Sequence, residues 1–181
     1  MTLTNPIIYN SDIVAIEKKA KKTCLTPEEA DLLKFGKNCN ETKIQSFCNQ
    51  AFRNLAVQVI VKKLGDMVFF QIDNGGKLKD GGRIRKWQEG ALSGMTDSAM
   101  LLFNRKSGKN KTIFCEFKRI GCESEIKGNP ATKSGLKIYQ HFKKQQELHE
   151  RLRNMGFEVV LTNNPVYFEK VFLERVWKFF E

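Results

Sequence analysis

The sequence predicts an α/β fold, a mixed central sheet flanked by helices on both faces. Three observations carry that reading. Two apolar runs, AMLLF (99–103) and TIFCEF (112–117), flank a short basic link, and branched and aromatic residues of this kind favour strands. A long amphipathic helix pattern precedes them at 40–64. A second long helix pattern follows and leads into another strand-like run, FEVVLTN (157–163). A helix joining two strands of one sheet implies a right-handed crossover.

Residues 1–39 read as a helical N-terminal extension with a packing or dimerisation role. SDIVAIEKKAKK places Ile13, Ile16 and Ala20 at helical spacing behind a Ser11 cap. In TPEEADLLKFGKN, Thr26 caps, Pro27 takes the first helical position, acids fill the first turn and Gly36 stands near the stop. From 40 to 64, Ile44, Phe47, Cys48, Ala51, Leu55, Val59 and Ile60 recur at spacings of three and four. Asn40 is the candidate cap of this helix. Glu41 lies in its first turn, where a carboxylate also complements the helix dipole.

MVFFQID (67–73) reads as a strand and leads into the glycine-rich basic loop NGGKLKDGG. Such a loop lets backbone approach a ligand while cations meet phosphate, although most loops of this kind are only turns. GRIRKWQEGALSG reads as a short helix or irregular segment, with Arg83, Arg85 and Lys86 beside Trp87. Cations with an aromatic suit nucleic acid, and a buried Trp87 with solvated neighbours fits the same pattern.

The link RKSGKNK has the Gly and Asn of a turn, so the two apolar runs form a hairpin. The stretch 120–137 is polar with scattered Gly and Pro and reads as a loop. IYQHFKKQQELHERLRNMG is a strong helix, its apolar positions Tyr139, Phe142, Leu148, Leu152 and Met155 interrupted by Gln145, with Gly156 at its end. PVYFEKVFLERVWKFF is a closing amphipathic helix. His141 and His149 are expected on the exposed face of the long helix, and no Ser/His/Asp arrangement is supported.

Composition narrows the function classes. The chain has 181 residues and a net charge of +11, with an apolar fraction of 41%, which suits an ordinary folded domain. The positive excess is concentrated. Residues 1–40 carry six Lys/Arg against five Asp/Glu, whereas residues 77–137 carry fourteen against six, a local net of +8. Excess positive charge favours polyanionic partners. Five cysteines with no CxxC pair argue against a disulfide scaffold and a zinc site. No leader pattern and no apolar run near ~18 residues is present, so a cytoplasmic, non-membrane location is expected.

Strand alternation places Glu116 and Lys118 on one face of the hairpin and Cys115 and Phe117 on the other. Charged residues are rarely set inside an apolar strand unless paired or bound to metal. With Asp97 at the start of the first hairpin strand, two carboxylates and a lysine meet at one end. That set can hold a divalent ion and face a phosphate.

The ordered residues resemble the PD-(D/E)xK nuclease superfamily, and within it the VRR-NUC domain (virus-type replication-repair nuclease). The likeness rests on Glu41-x-x-x-Gln45, Asn74-Gly75-Gly76-Lys77, Gly94-Met95-Thr96-Asp97, Glu116-Phe117-Lys118, and Gln145 eleven residues before Gly156. It spans about residues 40–164, within a nuclease-like domain expected over 40–181. Thr96 departs from the family's usual Pro, and Ser98-Ala99 follows Asp97 where an apolar residue is commoner. The resemblance implies a restriction-endonuclease-like sheet and a Mg²⁺- or Mn²⁺-dependent phosphodiester hydrolase. Asp97, Glu116 and the Phe117 carbonyl would hold the metal, with Glu41 completing the shell. Lys118 would position the attacking water or steady the developing charge, and Gln145 would hold the lysine or a water. Asn74, Gly75, Gly76, Lys77, Lys79, Arg83, Arg85, Lys86 and Arg119 would meet nucleic acid. Branched DNA such as a Holliday junction is the implied substrate, and a homodimer the implied assembly. Two readings stand beside it: a non-cleaving basic nucleic-acid-binding module, and a restriction-type nuclease that reads sequence.

Overall fold

The computed structural model describes residues 6–72, 96–122 and 132–181. Three helices open the chain: α1 (Asn10–Ala20), α2 (Pro27–Leu33) and α3 (Glu41–Val61). The strands β1 (Gly65–Gln71), β2 (Ser98–Asn104) and β3 (Asn110–Phe117) follow. Helix α4 (Lys133–Asn154) leads into β4 (Glu158–Thr162). The chain closes with α5 (Pro165–Tyr167), a π-helical turn (Phe168–Phe172) and α6 (Leu173–Lys178). The sheet is mixed and flanked by helices, in the order β1-β2-β3-β4. β1–β2 and β2–β3 run antiparallel, and β3–β4 run parallel after the α4 crossover.

Local chemistry explains most boundaries. The Asn40 side chain accepts from the Lys43 N–H and starts α3. Thr26 and Glu29 form a reciprocal capping box, with Pro27 at the first turn of α2. The hairpin closes through Asn104 and Lys109, with Gly108 at φ +67°. Gly156, at φ +87°, stops α4. Two helix starts differ from the sequence reading. α1 is capped at Tyr9 rather than Ser11, because the Asp12 carboxylate accepts the Tyr9 N–H at 2.9 Å. α4 begins at Lys133, where the Thr132 hydroxyl accepts the Gly135 N–H, so residues 133–137 are helix rather than loop.

One core joins the parts. Met100, Leu102, Ile113, Cys115 and Phe117 line one sheet face and pack with Ile44, Cys48, Phe52, Leu55 and Val59 of α3. Phe168 and Phe172 of the π-helical turn seal the same core. Ile8, Ile13, Ile16 and Leu32 belong to it too, so the N-terminal helices pack directly on the sheet-bearing body. The fully buried Asn163 ties the extension down. Its side chain accepts from Ile8 N at 2.6 Å and donates to Ile8 O and to Arg119 O. This fixes the chain just past Lys118.

Candidate active site

Strand alternation explains how β3 builds the site. Cys115 and Phe117 turn into the core at 0% exposure, and Glu116 turns to the opposite face. Lys118 follows two residues later on the Glu116 side, held by a backbone bond from its N–H to Thr162 O at 3.0 Å. Helix α4 covers that second face and presents Gln145. The result is a closed triangle of hydrogen bonds. Lys118 Nζ donates to Glu116 Oε1 at 2.6 Å and to Gln145 Oε1 at 3.1 Å, while Gln145 Nε2 donates to Glu116 Oε1 at 2.9 Å. All three residues are buried, Glu116 to 1% exposure.

Asp97 stands at the start of β2 and is half-buried. Its Oδ2 accepts the Phe117 N–H at 2.7 Å, and its carbonyl accepts the Ile72 N–H at 2.8 Å. One side-chain bond thus joins the head of β2 to the end of β3, twenty residues apart. Thr96 is fully buried, and its hydroxyl donates to Ser98 O. Glu41 is close enough for its charge to act on both Glu116 and Lys118.

The electrostatics follow from burial and neighbours. Burial pushes the Asp97 carboxyl up, partly offset by the Phe117 N–H and the Lys118 charge. Burial also raises Glu116. Lys118 pulls it back, Asp97 and Glu41 add repulsion, and the group ends at about 7. For Lys118, burial opposes the charge, yet Glu116, Glu41 and Asp97 outweigh it and raise the pKa. The ammonium therefore stays protonated at neutral pH.

Glu116 leaves one acceptor bare. Glu116 Oε1 takes two hydrogen bonds, while Glu116 Oε2 is buried with no partner. A buried, unpartnered carboxylate oxygen is costly unless something else meets it. Among the described residues, no group of three or more His, Cys, Asp or Glu side chains is placed to hold a metal ion. Mg²⁺ does not need one, since it binds through one or two carboxylates and keeps waters or substrate oxygens. The donor set of Asp97, Glu116 and nearby Glu41 is of the hard-oxygen type such an ion takes, and the orphaned oxygen fits it.

Thus Asp97, Glu116, Phe117, Lys118 and Gln145 come together, with Glu41 in electrostatic reach. Asn74, Gly75, Gly76, Lys77, Lys79, Arg83, Arg85 and Lys86 lie outside the described residues, as do Gly94 and Met95. Arg119 is half-buried beside the site, and its carbonyl accepts from Asn163. His149 corrects an expectation: it is 2% exposed rather than on the solvent face. The inward stripe of α4 is Phe142, Gln145, His149 and Leu152, while Met155 is 70% exposed. Burial, then the charges of Arg153 and Lys118, pull the His149 pKa down to about 4, so its imidazole is neutral at pH 7. Its Nε2 is buried without a partner. The i, i+4 spacing from Gln145 was the signal that could have found it.

A scan against protein-family models finds no match for this chain, and neither the curated proteins nor the solved structures give one.

Proposed function

We propose that this chain is a divalent-metal-dependent, structure-selective DNA endonuclease with a restriction-endonuclease-like fold, of the kind its VRR-NUC-like residue order implies. The observation that carries the reading is the half-satisfied Glu116, clamped at one oxygen and bare at the other, beside Asp97 and a protonated lysine. Asp97 and Glu116 would hold Mg²⁺ or Mn²⁺ with the Phe117 carbonyl, and Glu41 would add to the shell. Such an ion, when bound, activates water and neutralises charge at phosphorus.

The chain's own residues supply the rest. The Phe117 N–H fixes the Asp97 carboxylate through Oδ2. Gln145 donates to Glu116 Oε1 and accepts from Lys118, so it holds both side chains in one orientation. Lys118 keeps its proton on Nζ and offers that cation to the charge that develops on a phosphate oxygen. The concentrated positive charge at 77–137 supports a polyanionic substrate.

The test is cleavage of labelled branched and linear DNA with Mg²⁺ or Mn²⁺. Asp97→Asn, Glu116→Gln and Lys118→Ala should each lower the rate at least ~100-fold, with DNA still bound. Wild-type cleavage in EDTA, or full activity in all three variants, would contradict the proposal. Binding without product in any divalent ion would replace it with a non-cleaving module.

A further inference from the structure

A second cleft lies along α3. A cleft of about 950 Å³ opens beside the helix, at the upper end of the ~300–1,000 Å³ usual for ligand clefts. Lys34, Lys43 and Arg53 line it, and no acidic side chain does so among the described residues. Lys34 pairs with Asp31 at the surface, whereas Arg53 makes no ion pair among the described residues. Phe35 and Phe47, edge to face at 5.3 Å, give it an apolar floor.

Two half-buried amide side chains in its wall, Gln45 and Asn49, each leave one atom unsatisfied. Gln45 Nε2 and Asn49 Oδ1 are buried without hydrogen-bond partners. They stand four residues apart on one face of α3, one an unused donor and the other an unused acceptor. Buried polar atoms are normally paired, so two of them on a cleft wall mark a place for a polar ligand. A base edge offers both donors and acceptors, so one unused donor and one unused acceptor can meet it together.

The cleft abuts the candidate active site. Gln71 lines it and pairs with Ser98, next to Asp97, and the following Ile72 N–H donates to Asp97 O. Gln45 lies one turn beyond Glu41.

We infer that this cleft takes a single-stranded nucleic-acid segment flanking the scissile phosphate, with phosphates on Lys34, Lys43 and Arg53 and a base edge on Gln45 and Asn49. The inference rests on the nuclease reading for the direction of the strand, but the binding it describes can be measured separately.

The experiment is a fluorescence anisotropy titration of a short labelled single-stranded oligonucleotide, in EDTA and over a range of salt. Lys34→Ala/Arg53→Ala, both exposed positions, should weaken binding about tenfold. It should also reduce the salt slope by about 0.7 per lost phosphate contact. Asn49→Leu, which removes an already unpaired oxygen and so leaves folding nearly unchanged, should weaken binding about fivefold with the slope unaltered. Wild-type affinity and slope in both variants would overturn the inference. So would equal competition by an acidic peptide, which would show only general charge attraction. Wild-type protein that binds the oligonucleotide but never cleaves DNA would remove the nuclease reading while the variants still decide the cleft. Failure of wild type to bind the oligonucleotide would end the cleft inference and leave the nuclease reading to the cleavage assay.

Discussion

Glu116 carries two opposing demands. Its Oε1 is held by Lys118 and Gln145, and its Oε2 is buried and bare. Its pKa of about 7 lies above the usual 4.5, so the folded protein binds a proton there that the unfolded chain has released. That contribution to stability is present below pH ~4.5 and is lost as pH rises through ~7. His149 works the other way. Its folded pKa of about 4 lies below the usual 6.5, so its contribution is present above pH ~6.5 and lost as pH falls through ~4. In the metal-free protein the two oppose each other between pH ~4.5 and ~6.5. Replacing His149 leaves Glu116 and the raised Asp97 carboxyl acting together, and replacing Glu116 leaves His149 opposed by Asp97 alone. His149→Gln should become more stable on acidification through that window, and Glu116→Gln less stable, as read by thermal melts at several pH values. Slopes of the same sign in both variants would contradict this electrostatic picture.

Strand alternation made Asp97, Glu116 and Lys118 legible at the residue level, since charges at the end of an apolar strand need a partner or an ion. Gln145 was legible because it interrupts an apolar stripe. His149 was not. A stripe anchored on Leu148 and Met155 places His149 outward. The helix is instead turned so that Gln145 can reach β3, and His149 goes inward with it.

Among the elements, β1 depends on one close approach. A Cβ at Gly65 would come within 1.9 Å of Phe103 O and 2.8 Å of the Phe180 ring. Gly65 pairs with Asn104, the residue whose side chain opens the hairpin turn and also reaches Phe179 O. Gly65→Ala should therefore cost several kcal/mol, on the order of the larger core effects, measurable as a drop in denaturant midpoint. A change under ~0.5 kcal/mol would mean that the β1–β2 edge moves freely. Helices with strong caps, such as α2 and α3, were legible from composition because Thr26 and Asn40 satisfy specific N–H groups. The start of α4 was less so. Gly135 and Lys137 look loop-like until Thr132 is seen to cap the Gly135 N–H. The π-helical turn at Phe168–Phe172 has no sequence signal, since it follows from Phe168 and Phe172 reaching one core together.

For the whole molecule, the alternation of apolar runs and helices was enough to establish a mixed sheet flanked by helices. No described helix is long and apolar enough to cross a membrane. The sequence did not show how firmly the N-terminal helices belong to the body. Asn163, immediately after β4, bonds Ile8 and Arg119 at once, and such long-range polar contacts leave no periodic trace. The sheet and its pins have one shared consequence: they bring Asp97, Glu116 and Lys118 to one end of the hairpin. The most direct measurement of that claim is a crystal soaked in Mn²⁺ and recorded for anomalous scattering. A single strong peak is expected between the Asp97 and Glu116 carboxylates, with Glu116 Oε2 as a ligand. Saturating Mn²⁺ with no peak there, or a peak only elsewhere on the surface, would contradict it.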